Sequence, residues 1–347
     1  MNLEEIIMAE RVKVGLIGAG GIANGVHMPS LSEIPECEVV AICDLVEEKA
    51  KKLAEKYGVK KTYTSYNEMF KNEQLDAVYV LVQPDLTYRV AYDTIKAGYH
   101  VMIEKPMGID SYQAHSLARA AAESGKIVAV AMNRRHVPVL QEAWKKVREV
   151  SEITEIDGRF MKFSDISKGW HYASAYNCDI VHAIDLVRYL AQSEPKSAGT
   201  VIGRFDSPVD NAWLSAIEFE NGILATLRAN YQSSCRVHDF EIHGPKASAY
   251  INLGFGGQEC EATILYGAGV SMYSSASAGV ARETREKIDG IAMVEGGEGH
   301  YYRYYGYKSE DQDFIHSIQN GTKPLCTAED AAKTMDMVEM LLKSKVN

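Results

Sequence analysis

The chain has no C-x-x-C pair, and its six cysteines (Cys37, Cys43, Cys178, Cys235, Cys260 and Cys326) stand at no zinc-site spacing. A chain of 347 residues can build cores without disulfide staples, so these read as reduced, mostly buried thiols. His171, His182 and Asp185 are too loosely related for a closed ligand set, and no metal is expected. A basic excess is also missing. Thirty-seven Lys and Arg face 47 Asp and Glu, a net charge of -10, which argues against a nucleic-acid partner. No apolar run approaches membrane-spanning length, so no membrane partner is expected. The opening Met1-Asn2-Leu3-Glu4-Glu5 lacks the basic start and apolar run of a signal peptide. These absences together imply a cytoplasmic protein. Internal repeats are missing too.

What is present is an ordinary globular mixture, 46% hydrophobic and 24% charged, long enough for two domains. Short apolar runs recur at Val12–Ile17, Val39–Cys43, Ala77–Val82, His100–Ile103 and Ile127–Ala131. Such runs read as strands buried on both faces, the pattern of a parallel sheet. Helical stretches lie between them at Val46–Tyr57, Leu86–Ala97 and Ser111–Ser124, each stopped by a glycine: Gly58, Gly98 and Gly125. The alternation predicts a doubly wound α/β Rossmann domain over residues 1–132.

Residues 133–347 read as an α+β substrate and oligomerisation domain. Trp213–Phe219 and Ile223–Ala229 flank Asn221-Gly222, a hairpin signal, and further strands are predicted at Arg236–His243 and Ala247–Leu253. A helix is expected around Ile180–Leu190. Gly267–Gly299, rich in Gly, Ser and Ala, reads as a long loop or arm. Two helices close the chain, Glu310–Gln319 and Ala328–Lys343, the second capped by Thr327 and able to pack back on the first domain.

Gly18-Ala19-Gly20-Gly21-Ile22-Ala23 fits G-x-G-x-x-G/A directly after the first strand. The first glycine makes the tight turn, the second admits a diphosphate, and the third small residue allows close packing. Asp44 ends the second strand, where a carboxylate would meet ribose hydroxyls and repel a 2′-phosphate. NAD is therefore expected over NADP; a helix N-cap is the other reading of Asp44. Lys105, in Glu104-Lys105-Pro106, sits at the carboxyl end of a strand, where ligands bind in open α/β sheets, or is an ordinary solvated lysine. Asn133-Arg134-Arg135-His136 is a polar junction or a substrate-facing rim. Cys178, His182 and Asp185 fall at i, i+4 and i+7, one helical face, with Asp179 nearby. His182 is either a general acid/base or a satisfied core histidine.

Taken in order, these segments resemble the glucose–fructose oxidoreductase / inositol dehydrogenase / MocA family. The match takes in Gly18–Ala23, His27-Met28-Pro29, Asp44 and Val82-Gln83-Pro84. It continues through Ala97–Pro106, Asn133-Arg134-Arg135, His182–Asp185, Asp313-Phe314 and the closing helix. The resemblance implies an NAD(P)-dependent dehydrogenase acting on a secondary hydroxyl of a sugar, polyol or glycoside, with oxidation at glucosyl C3 one concrete case. It implies a C-terminal domain with a large, mostly antiparallel open sheet, and a homo-oligomer paired through such a sheet. Lys105 and His182 would face the substrate carbon, His182 as base and Lys105 as electrostatic partner. Gly18, Gly20, Gly21, Ile22, Asp44, Gln83, Pro84, Glu104 and Lys105 would hold the cofactor, Glu104 by orienting Lys105 or the nicotinamide-side backbone. Arg135, Trp170, His171, Cys178 and Asp179 would line the substrate pocket. Two other activities remain open: cleavage of a glycoside by transient oxidation and elimination with NAD retained, and a non-catalytic dinucleotide-binding sensor.

Two positions depart from the family pattern. Cys178 stands where an aspartate is usual, and Asp179, one place on, is rotated by about 100° on an α-helix. Tyr88 replaces a usual histidine, and both changes are expected where substrate identity is set. Aromatic density at Tyr301-Tyr302-Arg303-Tyr304-Tyr305 suits a sugar face, or a packed sheet or subunit contact equally well.

Overall fold

The computed structural model describes residues 11–167, 174–255, 259–267 and 284–346. The chain forms two compact units. The first comprises Met1–Asn133, Tyr172–Asp179 and Gly306–Asp336, and the second Arg134–His171, Ile180–Tyr305 and Met337–Asn347.

The first unit is built on six parallel strands: β1 (Val12–Ile17), β2 (Cys37–Cys43), β3 (Lys61–Tyr63), β4 (Ala77–Val80), β5 (His100–Ile103) and β6 (Val128–Val130). Their order is β3-β2-β1-β4-β5-β6, the doubly wound arrangement, with the order reversing between β1 and β4. β4 and β6 are buried at every residue, which explains why they appear as continuous apolar runs. A helical run over residues 21–31 follows β1 and contains a π turn, Ala23–His27, before α1 (Met28–Leu31). Next come α2 (Glu47–Tyr57), α3 (Tyr66–Asn72), α4 (Pro84–Lys96) and α5 (Ser111–Ser124). Asp110 starts α5 by accepting from the Gln113 amide at 2.8 Å.

Two segments from late in the chain complete this unit. Phe314 and Ile315 join Val14, Leu16 and Tyr79 in one buried core. The Cys326 carbonyl accepts from the Val130 amide at 3.1 Å, extending the β6 edge, and Thr327 Oγ1 accepts from the Asp330 amide at 3.2 Å as the sequence predicts.

The second unit carries an eight-stranded sheet ordered β14-β13-β12-β11-β7-β10-β9-β8. The strands are β7 (Glu155–Phe163), β8 (Pro195–Gly203), β9 (Ala212–Phe219), β10 (Leu224–Asn230), β11 (Gln232–His243), β12 (Ala247–Leu253), β13 (Cys260–Tyr266) and β14 (Thr284–Asp289). All pairings are antiparallel except β7 with β10. The expected hairpin joins β9 to β10, its turn closed by the Gly222 amide on the Phe219 carbonyl at 3.0 Å. The reading of Gly267–Gly299 as loop is corrected by β14, which pairs antiparallel with β13; residues 268–283 lie outside the described set. Among the described residues the sheet is accompanied by α6 (Pro138–Val150), α7 (Val181–Ala191), α8 (Tyr301–Tyr304) and the end of the closing helix. α7 is buried along its whole length. A Cβ on Gly158 of β7 would lie 3.1 Å from Val187 Cγ2, so glycine there lets α7 lie close on the sheet.

Candidate active site

The turn after β1 has the shape its glycines require. Gly18 has φ +107°, and a Cβ there would stand 2.2 Å from the Leu81 carbonyl oxygen, so no other residue fits. Around Gly20 and Gly21 an added Cβ would meet nothing within 4 Å, leaving open space before the amides that start the helical run. Asp44 braces the turn: one carboxylate oxygen accepts from the Ala19 amide and the other from the Val46 amide, both at 2.8 Å. It thus supports the entry to α2 and keeps a carboxylate beside the open space. Gln83 is exposed just before α4, and its carbonyl accepts from the Leu86 and Thr87 amides at 2.9 and 3.1 Å; Pro84 is the first residue of that helix. A tight turn, an open helix N-terminus and a flanking carboxylate fit a dinucleotide diphosphate and its ribose.

Lys105 follows β5 and is half-buried. Its ammonium donates to the Cys178 carbonyl at 3.0 Å. A second tie to the same segment comes from Asn177, whose amide donates to the Ile109 carbonyl at 2.9 Å. The segment Tyr176–Ile180 is a π turn, in which hydrogen bonds close over one residue more than in an α-helix. That turn contains Cys178, whereas His182 and Asp185 follow it on a regular α-helix, so the i, i+4, i+7 spacing holds only between the last two. The Cys178 thiol is buried, which pushes it up to about 12 against the pull of Lys105. The backbone oxygen of Cys178, and not its buried thiol, is the atom that meets Lys105. Asp179 is half-buried.

Glu104 faces a group to which sequence reasoning gave no chemistry. His27 is fully buried, with Nδ1 3.0 Å from Asp311 Oδ1 and Nε2 3.6 Å from Glu104 Oε1. Its ring stands edge-on to Tyr79 and Tyr307. Burial alone would pull the imidazole down, but Asp311 and Glu104 outweigh it and raise the pKa to about 10. Neighbouring Glu310 is buried without a hydrogen-bond partner and is held well above the ordinary carboxyl range by burial and by Asp311. Asp311 and Glu310 lie on α9 (Tyr307–Asn320), far along the sequence. The available signal was a histidine two residues before Pro29 in the first helical run, together with acidic residues on the buried side of Phe314.

In the second unit His182 is buried on α7. Arg135 does not stand open: its guanidinium grips Asp185 with two bonds of 2.8 and 2.6 Å and lies over the Tyr189 ring at 5.0 Å. The adjacent Arg134 is different. It is 4% exposed, its Nε and Nη1 have no hydrogen-bond partner, and it lies over the Phe160 ring at 4.8 Å. Trp170 and His171 lie outside the described residues. Tyr88 is half-buried, and its hydroxyl meets Ser116 Oγ of α5 at 3.0 Å. Asp157, Glu241 and His243 bring possible ligand atoms within 4.8 Å on the sheet, but Arg159 already engages Glu241 at 2.7 Å.

Known proteins resemble this chain in both its N-terminal and its C-terminal part. Residues 12–132 match the GFO_IDH_MocA model, described as an oxidoreductase family with an NAD-binding Rossmann fold, and residues 147–250 match the GFO/IDH/MocA C-terminal domain. D-glucoside 3-dehydrogenase of Escherichia coli K12 is 26% identical, over 71% of this chain and 79% of the relative. Inositol 2-dehydrogenase of Salmonella paratyphi B is 24% identical, over 69% and 73%. Levoglucosan dehydrogenase in complex with NADH superposes with a TM-score of 0.79 at 20% identity, covering 96% of this chain and 97% of that one, a likeness of fold.

Proposed function

The chain belongs to the GFO_IDH_MocA oxidoreductase family, which binds NAD through its Rossmann domain, and on that premise we propose that it dehydrogenates a secondary hydroxyl of a sugar, polyol or glycoside. Two relatives act on such compounds by name, a D-glucoside at position 3 and inositol at position 2. Oxidation of a glucosyl ring at C3 is the specific reaction this favours. Bound NAD supplies the acceptor for the two electrons and the hydrogen leaving carbon.

The protein's own task is the other proton. His182 takes it from the hydroxyl, and the Lys105 ammonium stabilises the oxygen as negative charge develops. The observation that carries the assignment is the Lys105 ammonium held on the Cys178 carbonyl at 3.0 Å, a donor fixed at the carboxyl end of a parallel strand.

The test is direct. Lys105→Met and His182→Ala are each expected to lower kcat by about 10²–10⁴-fold while NAD binding, followed by fluorescence titration, stays intact. Near-normal turnover in either variant removes its assigned role. NADH release during turnover distinguishes dehydrogenation from a cycle that returns the electrons to the substrate.

A further inference from the structure

The inner face of the second unit's sheet carries a group of buried donors that its hydrogen bonds leave incomplete. Phe160 on β7 pairs in register with His238 on β11. The two rings stack at 4.3 Å and 15°, and the Arg134 guanidinium also lies over Phe160. His238 is 1% exposed. Its Nδ1 meets the Tyr305 hydroxyl at 2.9 Å, while its Nε2 has no hydrogen-bond partner. When the Tyr305 hydroxyl donates to Nδ1, the neutral ring carries its proton on Nε2, and that atom is a second unused donor beside Arg134.

Charge adds a further constraint. A buried guanidinium without a counter-ion is costly, and buried charges are ordinarily paired. Arg134 has no carboxylate within ion-pair distance among the described residues. The other charged groups acting on His238 are Arg236 and Lys162, which are also cationic. Arg236 lies over Phe255 at 3.6 Å, and Lys162 is 5.0 Å from the Tyr231 ring. Among the described residues the surroundings are aromatic rings and cationic side chains, with Arg134 Nε and Nη1 lacking acceptors and, in that tautomer, His238 Nε2 as well.

We propose that Arg134 and His238 form a subsite for an oxyanion carried by the substrate, a carboxylate or a phosphate, so that the sugar oxidised is an acidic one. The aromatic rings beside the donors suit the apolar face of the same sugar. This rests on the sugar-dehydrogenase reading for its context, while its test reads binding alone.

Calorimetry on the full-length, NAD-loaded protein would compare methyl glucoside, methyl glucuronide and glucose 1-phosphate. One or both charged ligands are expected to bind about tenfold or more tightly than the neutral one, as a charge-assisted hydrogen bond provides. The stronger of the two distinguishes carboxylate from phosphate. Arg134→Met is expected to abolish that preference, Arg134→Lys to keep part of it, and His238→Gln to weaken it if the methionine variant does not fold. Equal affinity for all three ligands, no binding by any, or a preference that survives Arg134→Met would each overturn the subsite. Failure of the dehydrogenase reading would instead appear as no NADH formed from any sugar, polyol or glycoside tested, whatever the three affinities.

Discussion

Two buried histidines sit in opposite electrostatic surroundings. His27, in the Rossmann unit, lies between the carboxylates of Asp311 and Glu104 with Glu310 alongside, and it holds its proton up to about 10. His238, on the sheet of the second unit, is held well below the ordinary imidazole value by burial and by Arg134, Arg236 and Lys162. Burial opposes the charged form at both sites, so the sign of the neighbours decides which form survives. The first cluster contains its own counter-charges and behaves as structure. The second has donors to spare and behaves as a receptor.

The largest expected effect comes from removing a counter-charge. Asp311→Ala breaks a buried ion pair, and should lower unfolding free energy in urea by about 3–5 kcal/mol. A smaller loss would mean that Glu104 or Glu310 takes over.

The next effect is a slope in alkali. Because the folded pKa of His27 is raised, its contribution is complete below about pH 6.5 and is lost as pH rises to about 10. Glu310, also raised, adds to the fall in the same sense, and Tyr79, raised by burial and Asp311, titrates above it. Thermal melts from pH 7 to 10 should therefore fall more steeply for the native chain than for His27→Gln. Parallel curves would show that His27 is neutral.

In acid the order reverses. His238 resists protonation when folded, so stability is expected to drop as pH falls below about 6.5. His136, lowered to about 3 by burial and by Arg135, contributes in the same window. His238→Phe should flatten part of that drop and change little at pH 8. The smallest effect belongs to Arg134→Met. Replacing an uncompensated buried cation by an apolar side chain should leave Tm unchanged or slightly raised, whereas Arg135→Met, which strands Asp185, should lower it.

Much of this fold is legible in the sequence because its parallel strands are buried on both faces and its helices end at glycines. The Asn221-Gly222 turn shows in the same way. β14 was hidden because Thr284–Asp289 is polar or charged at every residue but Ile288 and presents no hydrophobic run. Its pairing depends on β13, not on local preference. α6 went unrecognised although Val139, Leu140, Ala143, Trp144 and Val147 make a buried stripe, since the polar Asn133–His136 segment before it masked the start. At the site, Lys105, the glycine turn and Asp44 follow local rules. The two π turns do not, because a one-residue widening leaves no mark in spacing. The partners of His27 were illegible for a different reason: Asp311 lies 284 residues downstream.

That separation has a consequence for how the molecule is made. The Rossmann unit draws its last pieces from Gly306–Asp336, so a ribosome finishes nearly the whole chain before the nucleotide-binding half can close. Until then His27 has no Asp311, and the core waits for Phe314 and Ile315. A fragment cut after the sixth strand would contain every glycine of the dinucleotide turn and still be an unfinished domain.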